Sequence, residues 1–388
     1  MIITSSVSPA LRVGLRFLGM WPNDSYGTIY WLSFTLSMLI IQYFQYLYVF
    51  DHLKMSEFSN LVGSLTETLD YSLTLFKIIS LWVHRRVFHK ILADMDNDWR
   101  ECININEHLY MMTIKANISH FISCALLSFN AIAGVLYTLG DVIHSVFLAT
   151  HYNDTLRQLP LKIYLPFETQ QSPTFEFLAA TLILHVAIHS CVVAILNGLI
   201  LTLTLHASGQ IEIICHEIRN VSNNKSTLFR ESSVPLFGML IERHNKIIAF
   251  SKNIESLFSF IALMQIVWNT LVICCLGFVI ILSITSKTGI FVFVKTISGY
   301  FAVMIEAFVF CFAGEYLSLK GELIANAIYE TMWYDMPSGQ SKIIIFILLR
   351  SQKRLTITAG KMMDMSFETF TNIMKASVSF ISVLNAMY

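Results

Sequence analysis

The chain contains, at residues Phe175–His206, the sequence FEFLAATLILHVAIHSCVVAILNGLILTLTLH. Glu176 is the only Asp, Glu, Lys or Arg among these 32 residues. A bilayer core about 30 Å thick needs roughly 20 apolar residues of helix, at about 1.5 Å per residue. The stretch is therefore long enough and apolar enough to cross a membrane.

Six further stretches are of the same kind, and 55% of the chain is hydrophobic while 13% is charged. The predicted spans are Thr28–Phe50, Leu61–Val83, Lys115–Gly140, Phe175–His206, Phe258–Ser283, Val292–Gly314 and Met365–Tyr388. The predicted fold class is an all-α membrane protein with seven transmembrane helices. The chain has no net charge, so nothing indicates a nucleic-acid partner.

Positive charge differs between alternate connections. Lys and Arg number 18 in the N-terminal segment and the second, fourth and sixth connections, but 4 in the others. Because positively charged loops stay in the cytoplasm, we predict a cytoplasmic N-terminus and an extracellular C-terminus. A glycosylation sequon, Asn153-Asp154-Thr155, falls on the predicted outer side. The connection that holds it, Asp141–Thr174, contains three prolines and is predicted to be irregular.

The two largest predicted cytoplasmic connections have apolar residues at three- and four-residue spacing, which favours helices. A polar run, Ser222–Ser233, interrupts the fourth connection, and Pro337-Ser338-Gly339 interrupts the sixth. Helices with an apolar face need a partner surface. The predicted organisation is a transmembrane ligand-binding region at 1–314 with a cytoplasmic extension at 207–257, cytoplasmic anchor helices at 315–364, and a seventh transmembrane helix at 365–388.

Ionisable side chains inside a span are costly, so each suggests a function. Glu67, Asp70 and Lys77 share one face of the second span at 100° per residue. They either pair with neighbouring helices or supply polar groups to a ligand cavity. His185 and His189 are four residues apart, but no carboxylate at ligand spacing accompanies them. We predict hydrogen-bonded interior histidines, no metal site and no cofactor.

The last predicted span carries one narrow stripe of polar or small residues, at spacings of three and four: Asn372, Lys375, Ser379, Ser382 and Ala386. Such a stripe forms either a close helix contact or the wall of a water-filled pore. Asn372 and Lys375 are too polar for a tight contact, which favours a pore lined by several copies of the helix. Val383 and Met387 border the stripe near its outer end, where a ring of apolar side chains could close a pore.

Aromatic side chains are placed near the outer half of several spans: Tyr71, Phe129, Tyr137, Phe177, Trp268 and Tyr300. Polar groups at similar depth are Thr66, Ser128, His185 and Thr270. Most membrane aromatics serve packing or anchoring. A cluster from several helices could instead line an apolar cavity for a small, lipophilic, neutral molecule.

Three regions of the chain carry a resemblance to a known family. Phe17-Leu18-Gly19-Met20-Trp21-Pro22 is similar to the Leu-Gly-x-Trp-Pro segment before the family's first span. The other matching segments are Ala327-Ile328-Tyr329, Trp333-Tyr334 and Leu349-Arg350-Ser351-Gln352 in the sixth connection, and Phe367-Glu368-Thr369-Phe370 and Ser377–Leu384 in the last span. Over essentially its whole length, the chain resembles an insect odorant receptor.

The resemblance implies a ligand-gated, non-selective cation channel in the plasma membrane of olfactory neuron dendrites. Its partners would be a small volatile hydrophobic ligand, membrane lipid and the co-receptor subunits of a tetramer whose seventh helices surround the pore. The connection Ala207–Leu257 is much shorter than the co-receptor's, which implies a tuning subunit. Matched to the family's last helix, the gate positions fall on Val383 and Met387, and a polar position of the co-receptor falls on Ala386.

The family's ligand pocket lies in the outer half of the bundle, among the second, third, fourth and sixth spans with help from the fifth. Helix position in this chain then gives the predicted ligand-binding set: Thr66, Asp70, Tyr71, Thr74, Ser128, Phe129, Ile132, Leu136, Phe177, Ile183, Leu184, His185, Trp268 and Tyr300.

Two other classes of membrane protein fit the sequence less well. A G-protein-coupled receptor is disfavoured because the third span lacks an Asp-Arg-Tyr ending and the seventh lacks Asn-Pro-x-x-Tyr. A multi-span membrane enzyme would use His185 and His189, but no matching nucleophile or set of metal ligands accompanies them. We therefore predict no catalytic residues.

Overall fold

The structure is a computed structural model that describes residues 5–22, 24–53, 58–152, 159–223, 234–285, 290–331 and 333–387. At 58–60, 139–152, 221–223, 234–236, 290–292, Asn385 and Met387 it describes the helical backbone without the side chains. The sequon Asn153-Asp154-Thr155 and the last residue, Tyr388, lie outside the described residues.

Helices account for most of the described chain. They are α1 (Pro9–Phe17), α2 (Gly27–His52), α3 (Phe58–Val83), α4 (Arg85–Cys102), α5 (Asn106–Tyr152), α6 (Thr174–Asn223), α7 (Val234–Thr285), α8 (Ile290–Tyr329), a 3₁₀ turn (Trp333–Asp335), α9 (Ser338–Ser351) and α10 (Phe367–Met387). A two-stranded antiparallel hairpin, β1 (Thr358–Ala359) and β2 (Met363–Asp364), precedes α10.

Seven long helices, α2, α3, α5, α6, α7, α8 and α10, coincide with the seven predicted spans. Five of them, α2, α5, α6, α7 and α8, are long and apolar enough to cross a membrane by length and composition alone. In the described chain the other two do not meet that criterion: α3 carries three charged side chains, those of Glu67, Asp70 and Lys77, and α10 carries the polar stripe.

Several helices continue well beyond the length of a membrane span. Helices α6, α7 and α8 contain 50, 52 and 40 residues, which at about 1.5 Å per residue exceeds a bilayer core. Their extensions pack with α1, α4 and α9 at one end of the bundle, which we name the extended end.

Helix α5 reaches Tyr152, although an irregular segment was predicted from Asp141. The helix continues because residues 141–152 contain no proline or glycine to end it.

The sequence analysis did not predict α1 or α4. Helix α1 has Pro9 at its first position, and the Ser8 hydroxyl accepts a hydrogen bond from the Leu11 N–H at 3.2 Å, a favourable N-cap. Helix α4 buries one apolar face: Phe88, Ile91, Leu92, Met95, Trp99 and Cys102. The three- and four-residue spacing of these side chains is the signal that could have predicted it.

Ion pairs join the helices at the extended end. The Glu212 carboxylate on α6 accepts hydrogen bonds from Lys115 of α5 at 2.7 Å and Lys320 of α8 at 2.8 Å. Burial raises the pKa of Glu212, but the two lysines outweigh burial and hold that pKa below its ordinary value. Glu212 therefore links three helices at one point.

The hairpin positions the start of α10. Gly360 and Lys361, at its turn, have φ of 59° and 61°, a region that glycine enters without strain. The Gly360 N–H donates to the Ser259 carbonyl of α7 at 2.9 Å, so the turn is fixed to the bundle. Because Met363 and Asp364 pair with β1, α10 begins at Phe367, two residues after the predicted start of the span.

Gly314 of α8 permits close packing under this hairpin, because a Cβ there would lie 2.2 Å from the Met365 carbonyl oxygen. We expect Gly314→Ala to lower the free energy of unfolding by about 1–3 kcal/mol through overpacking against backbone. The measurement is the thermal unfolding midpoint of purified protein. Gly299→Ala on the same helix is the control, since nothing lies within 4 Å of its added Cβ. Equal midpoints for the two variants would contradict the packing described.

Candidate ligand cavity and exposed face of the last helix

A cavity of about 130 Å³ lies between the helices, away from the extended end. Helices α3, α5, α6, α7 and α8 line it, together with Leu161 of the segment before α6. Its apolar and small wall residues are Ala133, Gly134, Val186, Val193, Val272, Leu276, Gly299, Ala302 and Val303. Its polar residues are Thr66, Glu67, Asp70, Tyr71, Asn130, Tyr137, His189, Ser190, Ser298 and Glu306. A concave site that combines apolar walls with polar groups is typical of small-molecule binding.

Two buried ion pairs frame the cavity. The Lys77 ammonium on α3 pairs with the Glu306 carboxylate on α8, and these side chains are only 1% and 4% exposed. The Lys295 ammonium on α8 lies 3.3 Å from the Glu67 carboxylate on α3. The pairs are separated by ten residues along α3 and eleven along α8, which is about 15 Å of helix. Both therefore hold the same two helices, one on each side of the cavity.

Glu67 also receives hydrogen bonds from outside these two helices. The Tyr137 hydroxyl of α5 donates to its carboxylate, and the Lys162 backbone N–H donates at 3.4 Å. The Lys295 ammonium lies 4.1 Å from the centre of the Tyr137 ring, a cation–π contact. One carboxylate thus ties α3, α5, α8 and the Leu161 segment together.

An aromatic pair forms the α3–α6 wall. The rings of Tyr71 and His189 stack with centroids 4.0 Å apart and planes 2° apart. His189 Nε2 lies 3.0 Å from the Thr74 hydroxyl and 3.9 Å from the Asp70 carboxylate. The Tyr71 hydroxyl lies 3.4 Å from His185 Nδ1. The histidines are thus hydrogen-bonded within the bundle, as predicted from the sequence.

The structure brings part of the predicted ligand-binding set together. Thr66, Asp70 and Tyr71 line the cavity, while Thr74 and His185 contact lining residues from just outside it. Six others are exposed on the outside of the bundle: Ser128, Phe129, Ile132, Leu136, Phe177 and Leu184. The remaining three, Ile183, Trp268 and Tyr300, are half-buried away from the cavity.

Helix rotation explains this difference. On α5 the cavity is lined by Asn130, Ala133, Gly134 and Tyr137, so residues 128, 129, 132 and 136 point elsewhere at 100° per residue. The prediction favoured aromatic and hydroxyl side chains at the correct depth. The small residues Ala133 and Gly134 carried no such signal, although small side chains leave room for a ligand.

The polar stripe of α10 lies on the exposed side of that helix. Asn372, Lys375, Ser379, Ser382 and Ala386 are all exposed, and so is Val383. The opposite face packs on α7 and α8: Ile373 and Ser377 are buried, and a Cβ on Gly277 of α7 would lie 2.3 Å from Ile381. The side chain of Met387, the second predicted gate residue, lies outside the described residues.

The next feature is the grouping of side chains that could bind a metal ion. Across the residues described, no three His, Cys, Asp or Glu side chains are grouped so that they could hold a metal ion. The side chains around His185 and His189 are instead the Tyr71 ring, the Tyr71 and Thr74 hydroxyls and one carboxylate.

A small, partly polar cavity between membrane helices is the kind of site that binds a small molecule. The model of the 7tm odorant receptor family matches residues 57–378, and the chain belongs to this family. It is 25% identical to odorant receptor 22c of Drosophila melanogaster over 285 residues, covering 71% of this chain and 69% of that one. It is 22% identical to odorant receptor 10 of Aedes albopictus over 305 residues, covering 78% of both chains.

The fold is also similar to a solved structure, that of the insect olfactory receptor OR5 from Machilis hrabei in complex with eugenol. The TM-score is 0.80, with 13% identity and 97% of both chains covered. A second structure of the same receptor gives a TM-score of 0.77. The predicted seven-span all-α fold and the predicted odorant receptor family are therefore confirmed. The family consists of receptors and channels, so the enzyme alternative is excluded.

Proposed function

We propose that this odorant receptor is the tuning subunit of a ligand-gated, non-selective cation channel. It assembles with co-receptor subunits, as a tetramer, in the dendritic plasma membrane of olfactory neurons. The observation that carries the proposal is the exposed polar face of α10, from Asn372 to Ala386. Polar side chains facing lipid are unfavourable, so this face needs water or another subunit beside it.

The proposed orientation places the extended end in the cytoplasm and Tyr388 outside. The 18 to 4 distribution of Lys and Arg between alternate connections supports it. The cavity then lies in the outer half of the bundle. A volatile ligand could reach it from the outer solution or from the outer leaflet.

The proposed ligand is a small hydrophobic volatile, and the size of the cavity supports this choice. An engineered apolar cavity of about 150 Å³ binds benzene, so 130 Å³ is suited to a molecule of about one ring. The similar OR5 structure contains eugenol, itself a small molecule. Of the ligand contacts predicted from the sequence, Thr66, Asp70 and Tyr71 line this cavity and belong to the proposed site.

Two helices connect the cavity to α10. On α7, Leu276 lines the cavity and its neighbour Gly277 packs against Ile381 of α10. On α8, Glu306 lines the cavity, and the Phe308 ring two residues later lies 5.7 Å from the Phe370 ring. A ligand that binds the open arrangement more tightly shifts the population toward it. Movement of α7 and α8 then displaces α10.

The gate in this proposal is formed by Val383 and Met387 near the outer end of α10. Apolar rings close pores by excluding water, and displacing them lets water and cations enter. Ala386 has no polar group to offer an ion, so selection would fall mainly to the co-receptor subunits. Lys375, Ser379 and Ser382 would line the pore below the gate.

Filling the cavity tests the ligand site. Gly299 lines it with open space beside its Cα, so Gly299→Phe should occupy the volume without a backbone clash. We expect the odorant concentration for half-maximal current to rise at least about tenfold, with normal surface expression. The readout is whole-cell current from cells that express the chain with co-receptor. Val294→Phe, on the exposed side of the same helix, should change nothing, and an unaltered response in Gly299→Phe would reject the cavity as the odorant site.

Cysteine accessibility tests the pore face. Ser382 is exposed, whereas Ser377 on the same helix is fully buried. A cationic methanethiosulfonate reagent should reduce odorant-evoked current in Ser382→Cys because the bound group obstructs the conduit. Ser377→Cys should be insensitive, and the unmodified chain corrects for its own cysteines. Equal effects at the two positions would be inconsistent with a pore along this face.

A further inference from the structure

One of the carboxylates on the cavity wall has no lysine at ion-pair distance. Three carboxylates line it, those of Glu67, Asp70 and Glu306. Glu67 pairs with Lys295, and Glu306 pairs with Lys77. Asp70 has no lysine at ion-pair distance among the described residues, and its side chain is 34% exposed where it lines the cavity. An unpaired carboxylate in a membrane bundle is costly, so a cation beside it would be favourable.

The histidine beside Asp70 does not meet this need. His189 Nε2 lies 3.9 Å from the Asp70 carboxylate, which is beyond hydrogen-bond distance, but only 3.0 Å from the Thr74 hydroxyl. The His189 ring is also covered by the Tyr71 ring at 4.0 Å. Asp70 therefore keeps an acceptor oxygen available to the cavity.

Several hydrogen-bond donors on the cavity wall are already engaged. Their acceptors are backbone carbonyls or Glu67: Thr66 to Gly63 at 2.7 Å, Asn130 to Leu126 at 2.9 Å, Ser298 to Lys295 at 2.8 Å, and Tyr137 to Glu67. Among the described residues, only the Ser190 hydroxyl on this wall makes no hydrogen bond, so a ligand that only accepts hydrogen bonds would have to displace the bonds above at every other one of these donors. A ligand that donates them would find the Asp70 carboxylate ready.

We propose that the cavity takes a small amine, with its protonated nitrogen paired to Asp70 and its hydrocarbon body against Val186, Val193 and Val272. This inference rests on the proposed function of the cavity as the odorant site. An ammonium would balance the third carboxylate and gain a charge-assisted hydrogen bond. A carboxylate of the same size would be repelled by the Asp70 carboxylate and be disfavoured.

The test compares probes of equal size: benzylamine, benzyl alcohol and ethylbenzene, with benzoate as the anion. The readout is current in cells that express the chain with co-receptor. We expect benzylamine to act at a concentration at least about tenfold lower than either neutral probe, and benzoate to be inactive. Asp70→Asn should lower the potency of benzylamine at least about tenfold and that of either neutral probe by much less. Asp70→Glu, which retains the charge, should preserve the preference for the amine.

Asp96→Asn is the matched control, because Asp96 is exposed on α4 away from the cavity. Equal potency of benzylamine and ethylbenzene in the unmodified chain overturns the inference, even if Asp70→Asn fails to reach the surface. Neutral odorants that act and are blocked by Gly299→Phe, with benzylamine inactive, overturn the ligand class but retain the proposed odorant site. Silence to every odorant, with the protein at the surface, counts against both.

Discussion

Charged side chains inside the membrane bundle must be paired, and the arrangement of the cavity depends on that pairing. Lys77 and Glu306 are almost completely buried, and either ion alone would cost several kcal/mol in an apolar surrounding. Together with Glu67 and Lys295, they hold α3 and α8 at two levels about three turns apart. Because the ion pairs fix the spacing of α3 and α8 at two points, a space remains between the helices from one point to the other. The cavity occupies this gap, where Asp70 is the one lining carboxylate without a lysine partner in the described chain.

The two charge pairs also place the cavity in mechanical contact with α10. Helix α8 carries Lys295 and Glu306 and then, two residues later, the Phe308 ring that packs with the first turn of α10. A ligand between α3 and α8 contacts α8. The neighbouring part of α8 packs against α10, the proposed pore-lining helix. Since packed helices move between discrete arrangements rather than deforming continuously, a small displacement at the cavity can be transmitted to α10.

Much of the fold follows from the sequence, because span length and hydropathy report directly on burial in lipid. The shared face of Glu67, Asp70 and Lys77 and the stripe from Asn372 to Ala386 also follow, since both depend only on the 100° helical period. The ion-pair partners of these α3 side chains could not be predicted from the sequence. Glu306 and Lys295 are distant in sequence, and no local rule pairs them with α3. Rotation of α5 depends on packing too, which is why Phe129 was expected in the cavity and Gly134 was not.

The pairing of Lys77 with Glu306 can be tested by a double-mutant cycle on the thermal stability of purified protein. Lys77→Met or Glu306→Gln alone leaves an uncompensated buried ion, so each should lower stability by about 3–5 kcal/mol. The double variant Lys77→Met/Glu306→Gln removes both charges and should recover most of that loss. Losses that simply add in the double variant would show that the two side chains are not coupled, and would contradict the account of how α3 and α8 are held.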